Sequence, residues 1–99
     1  MAKFIRKYYP GKRHEDEDKP MSLGECQREV GGYVETHVYA GLTLVCDDEG
    51  VLKRYDPCMC VDGCVYRGTI LVGRFADEGL LPVTEEEIAE FENHITIRF

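Results

Sequence analysis

Three of the five cysteines fall within seven residues, in Cys58-Met-Cys60-Val-Asp-Gly-Cys64. A packed core gains little from so many thiols in one short segment, whereas thiolates are the ligands that hold a borderline-soft ion such as zinc, at about 2.3 Å. Along an extended segment Cys58 and Cys60 point to the same side, because side chains alternate with period two. A turn at Val61-Asp62-Gly63 then brings Cys64 back toward them. The spacing is not that of a C-x2-C knuckle, and no second CxxC follows. An ion held mostly by thiolates is structural rather than hydrolytic, since hydrolytic zinc keeps an open position. Such a closed site needs a fourth ligand, and Cys26, Cys46, His37, His14 and Asp62 are all open to that role. No glycine-rich phosphate loop, G-x-S-x-G or H-E-x-x-H occurs, and His14, His37 and His94 lie in no recognisable motif. A thiol–histidine pair of Cys46 with His37 across a hairpin is a minor catalytic alternative, and the expectation is a protein without enzymatic activity.

The chain of 99 residues is 43% hydrophobic, enough for one domain with its own core. No apolar run approaches the ~18 residues of a membrane span, and Met1-Ala-Lys-Phe-Ile-Arg-Lys7 lacks the apolar stretch of a signal peptide. A bacterial cytoplasm is therefore expected, where thiols stay reduced; an odd number of cysteines also cannot pair completely within one chain. The net charge is −7 and unevenly spread. Lys3, Arg6, Lys7, Lys12 and Arg13 carry all the charge of the first thirteen residues, so from His14 onward 7 basic residues face 19 acidic ones. Such a body repels nucleic acid directly and is drawn to basic surfaces, including those that bind nucleic acid. Candidate contact patches are Glu15, Asp16, Glu17 and Asp18; Asp47, Asp48 and Glu49; and the acidic run from Glu85 to Glu92.

These groups need elements to hold them. Phe4–Tyr9 reads as a first strand closed by Pro10-Gly11, and His14–Pro20 as a solvated charged loop. Ser22-Leu-Gly-Glu25 has capping-box spacing and opens a helix whose apolar side carries Leu23, Cys26 and Val30, ended by Gly31-Gly32. That stripe also gives Cys26 a plain explanation as a buried hydrophobe. Tyr33–Tyr39 and Leu42–Cys46 form a hairpin about Ala40-Gly41. Asp47–Gly50 turns into a strand over Val51–Tyr55, and Asp56-Pro57 introduces the cysteine loop. Thr69–Phe75 is almost continuously apolar, as a buried central strand is. Thr84-Glu-Glu-Glu87 is a second capping box before a short helix with Ile88 and Phe91 on one side, and Ile95, Ile97 and Phe99 alternate as an edge strand. The expected architecture is one α+β domain over residues 1–99. Residues 1–21 supply a first strand and charged loop. Residues 22–99 supply the core, a mostly antiparallel sheet of about four or five strands with two short helices.

Four segments carry a family resemblance: Val30-Gly-Gly-Tyr-Val-Glu35, Leu44-Val-Cys-Asp-Asp-Glu-Gly50, Gly68-Thr-Ile-Leu-Val-Gly73 and Leu81-Pro-Val-Thr-Glu-Glu-Glu-Ile88. In this order they resemble small domain-of-unknown-function proteins of the VGGYIE type, carried by phages and mobile elements of Gram-positive bacteria. The resemblance implies an α+β fold, a phage or prophage origin and no established enzyme activity. That family tolerates cysteine at the position of Cys46. It usually has an apolar residue where Cys26 stands and an asparagine-containing loop where Cys58 and Cys60 stand. The unusual thiols are thus Cys26, Cys58, Cys60 and Cys64, which favours Cys26 as the fourth zinc ligand. The chain also resembles anti-CRISPR proteins aimed at the type II effector nuclease, which holds guide and target in basic channels. The implied function is inhibition of that nuclease by direct protein contact. The alternative is a phage or mobile-element accessory or regulatory protein without a defence target.

Overall fold

Two capped helices and one long apolar strand organise the chain. In a computed structural model, which describes residues 2–99, the order is β1 (Lys3–Tyr9), β2 (Lys12–Glu17), α1 (Leu23–Val30), β3 (Val34–Tyr39), β4 (Leu42–Asp47), β5 (Pro57–Val61), β6 (Cys64–Arg67), β7 (Ile70–Ala76), β8 (Gly79–Leu81), β9 (Val83–Thr84), α2 (Glu85–Glu92) and β10 (Ile95–Arg98). Both helices start with a complete capping box, in which Ser22 and Thr84 accept from the backbone three residues on and Glu25 and Glu87 bond back. α1 ends at Gly31 with φ 98°, a left-handed cap that favours glycine.

The main sheet runs β2-β1-β7-β4-β3, with β8 added to β7 and β9 to β1; a smaller sheet runs β10-β5-β6. Its ladders are antiparallel. β7 is central, as its apolar run requires. Alternation splits the side chains of the main sheet between two cores. Tyr8, Leu42, Leu44, Ile70 and Val72 face one side, beneath Ile88 and Phe91 of α2 and Met59, Val61 and Tyr66 of the small sheet. Ile5, Val45 and Leu71 face the other, beneath Cys26 and Val30 of α1 and Leu80 of β8. Each fully buried large aliphatic or Phe side chain contributes about 1.5–3 kcal/mol of transfer free energy.

The α+β class, single domain and two short helices are as the sequence leads one to expect; the strands are more numerous. The charged run after Gly11 is also a strand, not a loop. β2 is an edge, where no core demands apolar residues, and Asp16 chelates Arg6 while Glu15 accepts from the Tyr9 hydroxyl. The expected strand over Val51–Tyr55 is instead a run of turns. Lys53 N–H bonds to the Glu49 carbonyl and Tyr55 N–H to that of Gly50, and Arg54 has φ 58°. No sheet edge receives Val51 and Leu52, which stay more than three-quarters exposed. The cysteine loop is the β5–β6 hairpin, closed by Asp62 and Gly63 at φ 47° and 88°, a pair of positive φ values that matches the right-handed strand twist.

Candidate functional site

That hairpin decides where the thiols lie. The β5–β6 ladder shifts register between Pro57 and Met59. The resulting bulge breaks the alternation that would have set Cys58 and Cys60 side by side. Cys58, Met59 and Val61 join the core beneath the small sheet, and Cys60, although buried, does not. Cys64 is exposed at the start of β6. Cys26 is fully buried under α1, in the core on the opposite face of the main sheet from Cys58. Cys26, Cys58, Cys60 and Cys64 are therefore not gathered about one point: among the described residues, the groups of three or more metal-binding side chains whose ligand atoms all lie within 4.8 Å of one another are Glu35–His37–Cys46 and Asp47–Asp48–Glu49. Burial raises the thiol pKa of Cys26, and burial likewise raises that of Cys58 although Arg98 opposes it. Both therefore stay protonated at neutral pH and fill the core as small hydrophobes.

The acidic patches separate in the same way. Glu15, Asp16 and Glu17 lie on β2, with Asp18 exposed just after it. Asp16 is committed to Arg6, at 2.9 and 3.2 Å. On α2, Glu87 caps the helix and meets Arg74, and Glu92 accepts from the Tyr8 hydroxyl at 2.9 Å. Glu85, Glu86 and Glu90 remain on its exposed face, and its last turn holds no cation. Asp48 and Glu49 are exposed, but Asp47 is buried and so is withheld from any partner.

Asp47 holds a small network instead. Its carboxylate accepts from Lys53 Nζ at 2.7 Å, the Tyr55 hydroxyl at 3.0 Å and Glu49 N–H at 2.9 Å. Burial pushes its pKa up, but these bonds outweigh burial and hold it below the usual carboxylate range. Lys53 also donates to the Gly31 carbonyl at 2.9 Å, which ties the turns after β4 to the end of α1. The paired glycines are needed for this approach. A Cβ on Gly31 would stand 2.5 Å from the Tyr55 hydroxyl oxygen, and one on Gly32 would stand 2.5 Å from Lys53 Nζ.

On the opposite face, the β3–β4 hairpin assembles the other constellation. Its register sets Glu35 opposite Cys46 and His37 opposite Leu44. Glu35 and His37 therefore lie on one face of β3, with Cys46 directly across. Glu35 Oε2 is 2.7 Å from His37 Nε2, and the Tyr66 ring meets the His37 ring edge-on at 5.1 Å between centroids. Tyr66 and Tyr39 share a hydrogen bond between their hydroxyls. Burial, and then the charges of Glu35, Asp47 and Asp48, push the Cys46 thiol up to about 12. With no metal bound, Cys46 is therefore held as a thiol at neutral pH, which does not suit cysteine–histidine catalysis; a coordinated cation would lower that pKa. The sequence alone points to Cys46 with His37; Glu35 joins them only through the hairpin register. The signal was present, because an Ala40-Gly41 turn sets residue 39 against 42 and hence 35 against 46.

The fold and these side chains define a small α+β domain with an acidic exterior and one mixed nitrogen, sulfur and oxygen cluster on an edge hairpin. The chain belongs to the family of the domain of unknown function DUF3846, whose profile matches residues 6–96. No curated protein and no solved structure matches it.

Proposed function

We propose that this protein is a binding module without enzymatic activity, which docks its acidic exterior on a basic protein surface. The partner in this reading is a type II RNA-guided nuclease, inhibited on behalf of a phage or mobile element in the bacterial cytoplasm. The observation that supports it most is the exposed face of α2, where Glu85, Glu86 and Glu90 stand without a cation in the last turn. Four cations are engaged with other carboxylates of the fold: Arg6 with Asp16, Lys7 with Glu29, Lys53 with Asp47 and Arg74 with Glu87. Such a face speeds encounter with a basic groove by about 10–10³-fold at low salt, an advantage that fades as ionic strength rises. The nuclease offers that kind of groove, since it holds its heteroduplex in a positively charged channel.

The test mixes purified nuclease with the protein, measures association across a salt series, and follows target cleavage. The reading expects binding, reduced cleavage, and an association rate that drops at least tenfold when Glu86→Lys and Glu90→Lys are combined, with unchanged melting temperature. Undiminished cleavage with no binding would remove the nuclease as partner. Binding indifferent to both charge reversal and salt would remove α2 as the docking face.

A further inference from the structure

We propose that Glu35, His37 and Cys46 form a binding site for a borderline-soft divalent metal ion of the zinc type, with a coordination position left open. The three side chains supply one carboxylate oxygen, one imidazole nitrogen and one sulfur, all within 4.8 Å of one another. Ligands at about 2.0–2.3 Å in tetrahedral arrangement stand roughly 3.3–3.8 Å apart. The ion therefore needs the ligand atoms to shift by about 1 Å or less: the direct Glu35–His37 contact at 2.7 Å opens, and the sulfur closes in. The donor set is selective. Thiolate and imidazole together favour zinc, cobalt or a similar ion, whereas calcium and magnesium take oxygen ligands.

The framework is already organised for it. All three ligands come from one antiparallel hairpin in unbroken register, so their backbone positions are set before any ion arrives. The edge of the Tyr66 ring limits rotation of the His37 ring, and the Tyr39 hydroxyl anchors Tyr66 in turn. This packing constrains the orientation of the imidazole before any ion arrives. Cys46 closes the inner side, while Glu35 is exposed and His37 half-buried. A shallow concavity of about 90 Å³ adjoins Glu35 and Cys46, bordered by Asp48, Val51, Val65 and Tyr66. It gives the ion a route in and leaves its fourth position facing solvent. The ion would also join the two strands at the end of the hairpin away from its turn, where β3 is the free edge of the main sheet.

The experiment titrates reduced, metal-free protein with Co²⁺ alone and then displaces it with Zn²⁺, reading sulfur-to-cobalt charge-transfer absorption and melting temperature. The expected result is about one equivalent of cobalt with thiolate absorption, and a melting temperature that rises with free Zn²⁺. His37→Ala, which changes a half-buried residue, should abolish the absorption while far-ultraviolet circular dichroism stays that of the parent. Cys46→Ser should abolish it too, and Glu35→Gln should weaken binding at least tenfold. Cys60→Ser and Cys64→Ser should leave it intact. No cobalt–thiolate absorption in the folded parent protein overturns the site. So does absorption that survives His37→Ala, or that disappears in Cys60→Ser or Cys64→Ser while the fold is kept.

Discussion

Replacing Asp47 by Ala removes the one acceptor shared by three donors of the turns that follow it, Glu49 N–H, Lys53 Nζ and the Tyr55 hydroxyl. The side chain of Asp47 is 1% exposed and that of Lys53 34%, and this asymmetry sets the magnitude. Removing one partner of a fully buried ion pair costs about 3–5 kcal/mol, but the freed Lys53 ammonium can return to water, so its share falls toward the ~0–1 kcal/mol of exposed pairs. The Tyr55 hydroxyl and Glu49 N–H each lose a charged acceptor, at about 1–3 kcal/mol apiece. These ranges span about 2–7 kcal/mol. Because Glu49 is exposed and Tyr55 half-buried, water recovers part of each loss and the sum falls in the lower part, at about 3 kcal/mol, which lowers the melting temperature of a domain this size by about 12–24 °C. Lys53→Met keeps the aliphatic stem, leaves the carboxylate two of its three bonds, and should cost clearly less than Asp47→Ala. Urea and thermal unfolding followed by circular dichroism measure both variants. The reasoning fails if Asp47→Ala costs less than about 1 kcal/mol, or if Lys53→Met costs as much as Asp47→Ala.

Three further outcomes use the same instruments. Gly32→Ala should destabilise the parent by displacing Lys53 from Asp47, yet cost clearly less in the Asp47→Ala background; a double-mutant cycle with no coupling would count against the close packing. Thr84→Ala should cost about 1 kcal/mol through loss of the α2 cap. The backbone of Thr84, and then Arg74, hold the Glu87 pKa below the usual range. A carboxylate with a lowered folded pKa stabilises above its unfolded value, near 4.3, and that contribution is lost as pH falls through the folded value. Glu87→Gln should therefore flatten the acid limb of a stability–pH profile and leave its slope near neutrality unchanged.

The features legible in the sequence were those decided locally. Ser22 with Glu25 and Thr84 with Glu87 state their helix starts within four residues, and Ala40-Gly41 states its hairpin. Where partners from distant segments decide, local reasoning fails. Lys12–Glu17 extends because Arg6 and Tyr9 receive Asp16 and Glu15 across a ladder, not through any apolar pattern of its own. Val51–Tyr55 has strand-forming residues but no ladder to join. The cysteines of β5 looked like a ligand cluster because the bulge after Pro57, which separates their side chains, has no mark in their spacing. The cluster on β3 and β4 stayed unread for the converse reason: Glu35 and Cys46 are eleven positions apart and meet only once the hairpin register is drawn out.

The position of β1 governs the time course of folding. β1 lies between β2 and β7, with Arg6 opposite Val72, so its second neighbour comes from the last third of the chain. The β3–β4 and β5–β6 hairpins can close within about 1–10 μs of being available. The β1–β2 hairpin closes as readily but then has nowhere to dock. A ribosome adding about 5–20 residues per second needs several seconds to produce the roughly 60 residues that separate the two halves of this seam. Over that interval Ile5 and Tyr8 have no core to cover them, and the charges of Lys12–Glu17 keep the waiting hairpin solvated and its edge unattractive to other strands. Seating β1 against β7 and β9 closes the longest loops in the sheet, so loop-closure entropy predicts that this step, rather than any hairpin, is the slow one.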